Sequence, residues 1–283
     1  MQESMKEGFF AACAGTFDLF YQAYKAQSDA TGSVVLVHGF SEYSGRYTHV
    51  VDALVHAGLN VLLFDLPGHG HSSGMQGHID SFQQYVDSAK SAIDQANQLF
   101  DNADITLLGH SMGGLVSIHA VAQSPSLVRR LILSNPLCAS RVRIPAWQRL
   151  LIHAIARVRP KQLFSLAIAP EKLSHNQQMV QLYANDPLCI RQGSARCLLQ
   201  LQEAMQLCEQ CTHQLQLPVL LQLASDDWVV DINEARRLFA HYRAAGSKTV
   251  VYEGFYHEIY NEVEWQRPVT DLTAWIKGLQ QQA

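Results

Sequence analysis

Charge is sparse in this 283-residue chain and leans slightly acidic: 16% of residues are Asp, Glu, Lys or Arg, and the formal net charge is −4. No strong basic excess exists for a general nucleic-acid binder to use, and no nucleic-acid partner is expected. Long apolar runs are missing as well. None approaches the roughly 20 residues a membrane span needs. The opening Met1–Glu7 is mixed in charge and leads only into a brief apolar patch, Phe9 to Cys13, so a secretory signal is not expected. Six cysteines are scattered without a framework, which suits a reducing cytoplasm. Cys208-x-x-Cys211 followed by His213 has no matching pair elsewhere and sits in a helical pattern, so no metal is expected there. Internal repeats and low-complexity tracts are also absent.

What remains is the composition of a soluble globular protein, 48% hydrophobic, with enough chain for one large domain or a core plus an insertion. Its organising stretch is Asp104–Ile118. A short apolar run reads as a buried strand, and Met112 onward reads as a helix. Between them lies Gly109-His110-Ser111-Met112-Gly113, a G-x-S-x-G pattern of the strand-to-nucleophile-to-helix type. A serine on so sharp a turn makes the positions two before and two after it crowd each other, so both must lack a Cβ. The turn lifts the Ser111 hydroxyl clear of the sheet, next to the positive end of the following helix.

The rest of the chain alternates in the same way. Residues 8–24 read as an opening pair of strands. Val34–Val37, Val61–Asp65, Leu131–Asn135, Pro218–Leu223 and Lys248–Tyr252 read as buried strands. Helical patterns cover Tyr47–His56, a long stretch capped by Ser81, Asn233–Ala244 and Val269–Leu279. This alternation predicts an α/β fold, a mostly parallel sheet with helices on both faces. It fails between about Pro136 and Leu217, where strand-like runs stop and helix formers dominate. The expected organisation is therefore a core of residues 1–136 and 218–283, interrupted by a helical cap insertion at 137–217. Connections this long in a compact domain are usually functional.

A serine alone is a poor nucleophile and needs a base and an orienter. In such a fold the order is Ser, then Asp or Glu, then His, each just after a strand. His257 follows the last strand, and it is the expected base. Asp226 and Asp227 compete to orient it, with Asp231 a more distant third. An oxyanion hole needs two backbone N–H groups. Met112, at the start of its helix, should supply one. Phe40 should supply the other, from His38-Gly39-Phe40 after an early strand. His38 and His110 read as structural. Serine at the elbow argues against hydrolases that place an aspartate there, and an intact triad with both loops argues against a non-catalytic binder. An esterase or peptidase acting on small soluble substrates would look the same.

Several stretches together resemble one family: His38–Tyr47, Asp65–Gly74, Gly77–Phe82, Gly109–Gly114, Asn185-Asp186-Pro187-Leu188 and Tyr252–Glu262. The chain is similar to the α/β-hydrolase superfamily, in its monoacylglycerol lipase and lysophospholipase branch. The resemblance implies the α/β-hydrolase fold, Ser111, Asp227 and His257 as the triad, and Phe40 and Met112 as the hole. It also implies hydrolysis of carboxylic esters of single-chain lipids without a cofactor.

One stretch of the insertion stands apart in charge. Arg141 to Lys161 carries Arg141, Arg143, Arg149, Arg157, Arg159 and Lys161 with no acidic residue. Pro145 suits a first helical position. Trp147, Leu150, Leu151, Ala154, Ile155 and Val158 then fall on one apolar stripe, with Arg149, His153 and Arg157 away from it. Such a helix either packs its stripe on the protein or lies on a lipid surface, making a peripheral membrane contact.

Overall fold

The computed structural model describes residues 5–101, 104–141, 145–166 and 168–281. A hairpin of β1 (Met5–Ala12) and β2 (Phe17–Tyr24) opens the chain. β3 (Gly32–Val37), α1 (Thr48–His56), β4 (Leu59–Phe64), α2 (Gln83–Phe100), β5 (Ile105–His110), α3 (Met112–Gln123) and β6 (Arg130–Ser134) follow. Strands β3, β4, β5 and β6 are buried along their whole length, as expected of parallel strands covered on both faces. The insertion then supplies α4 (Ala146–Val158), β7 (Leu163–Ser165), α5 (Gln177–Asn185), β8 (Gln192–Ser194) and α6 (Ala195–Gln214). The core resumes with β9 (Val219–Ala224), α7 (Ile232–Phe239), β10 (Lys248–Tyr252) and α8 (Gln266–Gln280).

Eight strands form one sheet in the order β1-β2-β4-β3-β5-β6-β9-β10. β2 is antiparallel to both of its neighbours, and every other pairing is parallel. The two faces carry separate apolar cores. α2 and α3 cover one, with Val86, Ala89, Ile93, Leu115 and Ile118 buried. α1 and α8 cover the other, with Val50, Leu54, Leu272 and Ile276 buried. Among the described residues no helix is long and apolar enough to cross a membrane.

Four local expectations change. Ser81 does accept a bond from the Gln83 amide at 3.3 Å, but α2 begins only at Gln83. The helix expected over 233–244 stops at Phe239, because Tyr242 turns back to donate to the Leu217 carbonyl at 2.6 Å. The last helix starts earlier than expected, at Gln266. The insertion is not wholly helical: β7 and β8 pair antiparallel, Phe164 opposite Gly193. Three residues per strand are too few to show a period in sequence.

The insertion is fastened to the core by polar contacts. The His119 ring on α3 bonds the Ala204 carbonyl of α6 at 3.0 Å. His78 bonds the Ser194 hydroxyl at 2.8 Å, which itself caps α6 by accepting from the Cys197 amide. The Tyr43 hydroxyl donates to Asp186 at 2.8 Å. Helix α4 sits on α6 through Ile155 and Ala156. Its predicted apolar stripe is turned largely outward, with Trp147 65%, Leu150 71% and Val158 80% exposed. Arg143 and the side chain of Arg149 lie outside the described residues.

Candidate active site

Ser111 joins β5 to α3 with φ 52° and ψ −116°. A non-glycine residue in that region costs on the order of 1–3 kcal/mol and persists only where its surroundings over-determine it. Those surroundings are two glycines. A Cβ on Gly109 would fall on the Gly113 carbonyl and the Ser117 hydroxyl, as the mutual crowding argument requires. A Cβ on Gly113 would instead strike the Val37 and His38 carbonyls. Gly113 therefore lets α3 rest on the end of β3, a role that the elbow argument alone did not contain.

The loops after β9 and β10 meet the serine. His257 Nε2 lies 2.9 Å from Ser111 Oγ, and His257 Nδ1 lies 2.6 Å from Asp227 Oδ2. Asp227 is fully buried, and its Oδ1 accepts from the Val229 and Val230 amides at 2.7 and 2.9 Å. Asp226 is exposed and is bonded by the Ser225 hydroxyl. Asp231 caps α7 through the Asn233 amide. The three aspartates are thus separated by geometry, and Asp227 alone touches the imidazole. Burial by itself would depress the His257 pKa. The Asp227 carboxylate, by its charge and hydrogen bond, outweighs that with help from Glu258 and Glu42, and holds it above the ordinary histidine value.

The loop after β3 comes up against Ser111: a Cβ on Gly39 would sit 3.1 Å from Ser111 Cβ. His38 is fully buried. Its Nε2 accepts from the Leu66 amide at 3.0 Å, so its Nδ1 carries the proton donated to the Gly39 carbonyl at 2.7 Å. Burial lowers its pKa to about 4, which keeps that neutral tautomer. Because the peptide is planar and trans, fixing the Gly39 carbonyl also fixes the Phe40 N–H that points the opposite way. Met112 is the first residue of α3, so its N–H has no acceptor within the helix. His110 bonds the Ser134 hydroxyl at 3.0 Å, with its ring 4.9 Å from that of His257. Burial first, and then the neighbouring His257, push its pKa well below the usual value.

A cavity of about 490 Å³ lies between sheet and insertion. From α6 come Leu198, Leu201, Gln202 and Met205, at i, i+3, i+4 and i+7 on one helix face, and from the insertion's loops Leu166 and Ile168. Ser111, His257, Gly39, Phe40, Glu42 and Glu258 line it too. No Lys or Arg is among the described lining residues.

Sequence reasoning assigned no role to two further residues. Asn135, at φ 40° just past β6, donates to the His257 carbonyl at 2.6 Å and accepts from the Ala224 amide at 2.8 Å. Arg141 donates to the Asp227 carbonyl at 2.6 Å. An asparagine ending a strand was a signal of the first, since asparagine tolerates positive φ. Nothing in spacing pointed to the second. Of the cysteine pair, Cys208 is buried in the core and Cys211 faces the His119 ring at 3.5 Å.

A family model described as "Serine aminopeptidase, S33" matches residues 28–264. The monoacylglycerol lipase of Mycolicibacterium smegmatis is 28% identical over 283 residues, 98% of each chain. The monoglyceride lipase of Mus musculus is 32% identical over 254 residues, covering 87% of this chain and 81% of that one. The solved monoacylglycerol lipase of Paleococcus ferrophilus superposes with a TM-score of 0.83 at 29% identity, over 91% of this chain and 98% of that one.

Proposed function

The chain belongs to the serine aminopeptidase S33 family of α/β-hydrolases, in its monoacylglycerol lipase branch, and on that premise we propose that it hydrolyses carboxylic esters of single-chain lipids through an acyl-enzyme on Ser111. The observation that carries this reading is the unbroken Ser111–His257–Asp227 contact on the wall of an apolar cavity. Ser111 attacks the ester carbonyl while His257 takes its proton, and Asp227 holds the tautomer and stabilises the imidazolium. The Phe40 and Met112 amides receive the developing oxyanion. The alcohol leaves with the proton from His257. Water then attacks the acyl-enzyme with His257 again as base, and the acid departs. Monoacylglycerol and lysophospholipid are the candidate esters. No metal or cofactor enters any step.

Residues 137–217 act in this reading as a cap. Leu198, Leu201 and Met205 offer an apolar wall for an acyl chain, while Glu42, Tyr183, Gln202 and Glu258 give the cavity its polar part. The outward stripe of α4, beside exposed Arg157 and Arg159, supports collection of substrate from a lipid surface.

A fluorophosphonate probe should label Ser111, and Ser111→Ala should abolish labelling while lowering kcat by on the order of 10⁴ or more. Turnover of monoacylglycerols, lysophospholipids, short p-nitrophenyl esters and aminoacyl anilides should be greatest on the long-chain lipid esters. Labelling that survives in Ser111→Ala would sink the nucleophile assignment, and turnover confined to aminoacyl anilides would make the chain a peptidase.

A further inference from the structure

A buried cluster of three charges stands behind the site. Side-chain exposure is 3% for Glu42, 6% for Arg46 and 6% for Glu258. Glu42 Oε1 accepts from the Gly39 amide at 2.6 Å and from the Tyr47 hydroxyl at 2.7 Å. Its Oε2 accepts from Arg46 Nη1 at 3.3 Å. Arg46 grips Glu258 with both terminal nitrogens, at 2.6 and 2.7 Å. Glu258 is further fixed by Asn261 Nδ2 at 2.9 Å, and its own amide donates to the Leu173 carbonyl at 2.9 Å. The path therefore starts one residue before Phe40 and ends one residue after His257.

We propose that the Glu42–Arg46–Glu258 cluster is a positioning device that ties the oxyanion loop to the histidine loop, so that hole and base are aligned as one unit; the inference rests on the hydrolase reading above. The sheet itself does not supply this alignment. β3, which launches the first loop, and β10, which launches the second, are separated by β5, β6 and β9. Small differences in twist at each strand pairing would accumulate between them, whereas the cluster spans the gap directly. Stability does not explain the cluster either. Taking charged groups out of water is costly, and apolar replacements of buried ion networks are often neutral or stabilising. A bidentate Arg–carboxylate pair does, however, fix direction as well as distance. Burial, which outweighs the pull of Arg46, raises the Glu42 carboxyl to about 7. Arg46 and the Asn261 bond, against burial, hold Glu258 below the usual range. Glu258 is accordingly the firm end of the tie and Glu42 the adjustable one.

A merely structural cluster and a positioning one differ in which state they stabilise. If the cluster aligns the hole, Glu42→Gln should lower kcat about 10–100-fold on a soluble ester, short of the 10²–10³ for outright loss of an oxyanion donor. KM should stay within about twofold, and affinity for a boronic-acid transition-state analogue should fall by the same factor as kcat. Glu258→Gln should show the same split, and the double variant should lose no more than about the worse single one, because both act through Arg46. Should Glu42→Gln fail to fold, Glu42→Asp, which keeps the charge but draws the carboxylate back from Gly39, reads out the same split. Unchanged kcat, a loss carried by KM with boronate affinity intact, or fully multiplicative single losses would overturn the coupling. Fluorophosphonate labelling of the wild-type chain runs alongside. If Ser111 is not labelled, it is the hydrolase reading that fails; if labelling is normal and the variants behave as wild type, only the coupling fails.

Discussion

Asp227 touches the His257 imidazole at 2.6 Å, while Asp226, its immediate neighbour, is exposed and bonded by the Ser225 hydroxyl. The difference follows from the backbone. The Asp226 amide is spent on the Phe255 carbonyl, and the turn that follows aims Asp227 inward, where the Val229 and Val230 amides hold its second oxygen. Asp227→Asn should therefore cost about 10³–10⁴ in kcat, because an amide favours the wrong imidazole tautomer. Asp226→Asn should cost under about tenfold. Steady-state kinetics on one soluble ester decides it, and the reverse ranking would move the orienting role to Asp226.

The acid limb of activity should sit high. In the proposed mechanism His257 must be neutral to accept the Ser111 proton, and its pKa is raised by Asp227, Glu258 and Glu42 against the effect of burial. Protonation therefore sets in above the ordinary histidine value of about 6.5, so kcat/KM should decline as pH falls through a midpoint above that value. Removing one of the negative charges must move the midpoint downward. Glu258→Gln should shift the limb to lower pH, read from kcat/KM profiles of the two enzymes. An unshifted or rising midpoint would contradict the charge argument.

Asn135 should matter to both stability and rate. It bridges the Ala224 amide and the His257 carbonyl and sits at positive φ. Asn135→Ala strands two buried backbone groups and strains the turn, which should cost about 1–3 kcal/mol in urea unfolding and reduce kcat through a displaced His257. Asn135→Gly relieves the strain but restores neither bond. It should recover part of the stability and little of the rate. Full recovery by glycine would reduce Asn135 to a backbone role.

The sheet and elbow were legible because each rests on a local rule. Val34–Val37 and Val61–Phe64 announce buried strands by apolar runs, and Gly109 and Gly113 announce a turn that no Cβ can enter. The choice of Asp227 over Asp226 was not legible from spacing, since the two are adjacent and only the turn geometry parts them. It came from the family resemblance. Glu42, Arg46 and Glu258 stood inside quoted motifs without a role, because their contact joins residues 212 apart. The facing of α4 was hidden for a similar reason. Periodicity defined the stripe, but which side meets α6 is set by the small Ala156 and Ala195, which let the helices approach. The short β7–β8 ribbon carries no period at all.

The outward stripe bears on how the hydrolase would meet a lipid. Trp147, Leu150, Leu151 and Val158 are exposed on α4, beside Arg157 and Arg159, in a segment of +6 within a chain of −4, so the remainder is −10. Exposed apolar area of this kind is uncommon on a monomer unless something covers it. A surface of anionic head groups fits both parts, with apolar side chains entering the interface and arginines meeting phosphate. Each cationic residue near such a surface contributes about 1 kcal/mol, an attraction that salt screens. Sedimentation with anionic vesicles should occur at low ionic strength and weaken at high salt. It should weaken further in Trp147→Ala and in Arg157→Glu, with turnover of a short soluble ester little changed. Loss of turnover on vesicle-borne monoacylglycerol in those variants, with soluble-ester activity intact, would tie the surface to substrate collection. Equal binding to neutral and anionic vesicles, or none to either, would leave the stripe without a lipid partner.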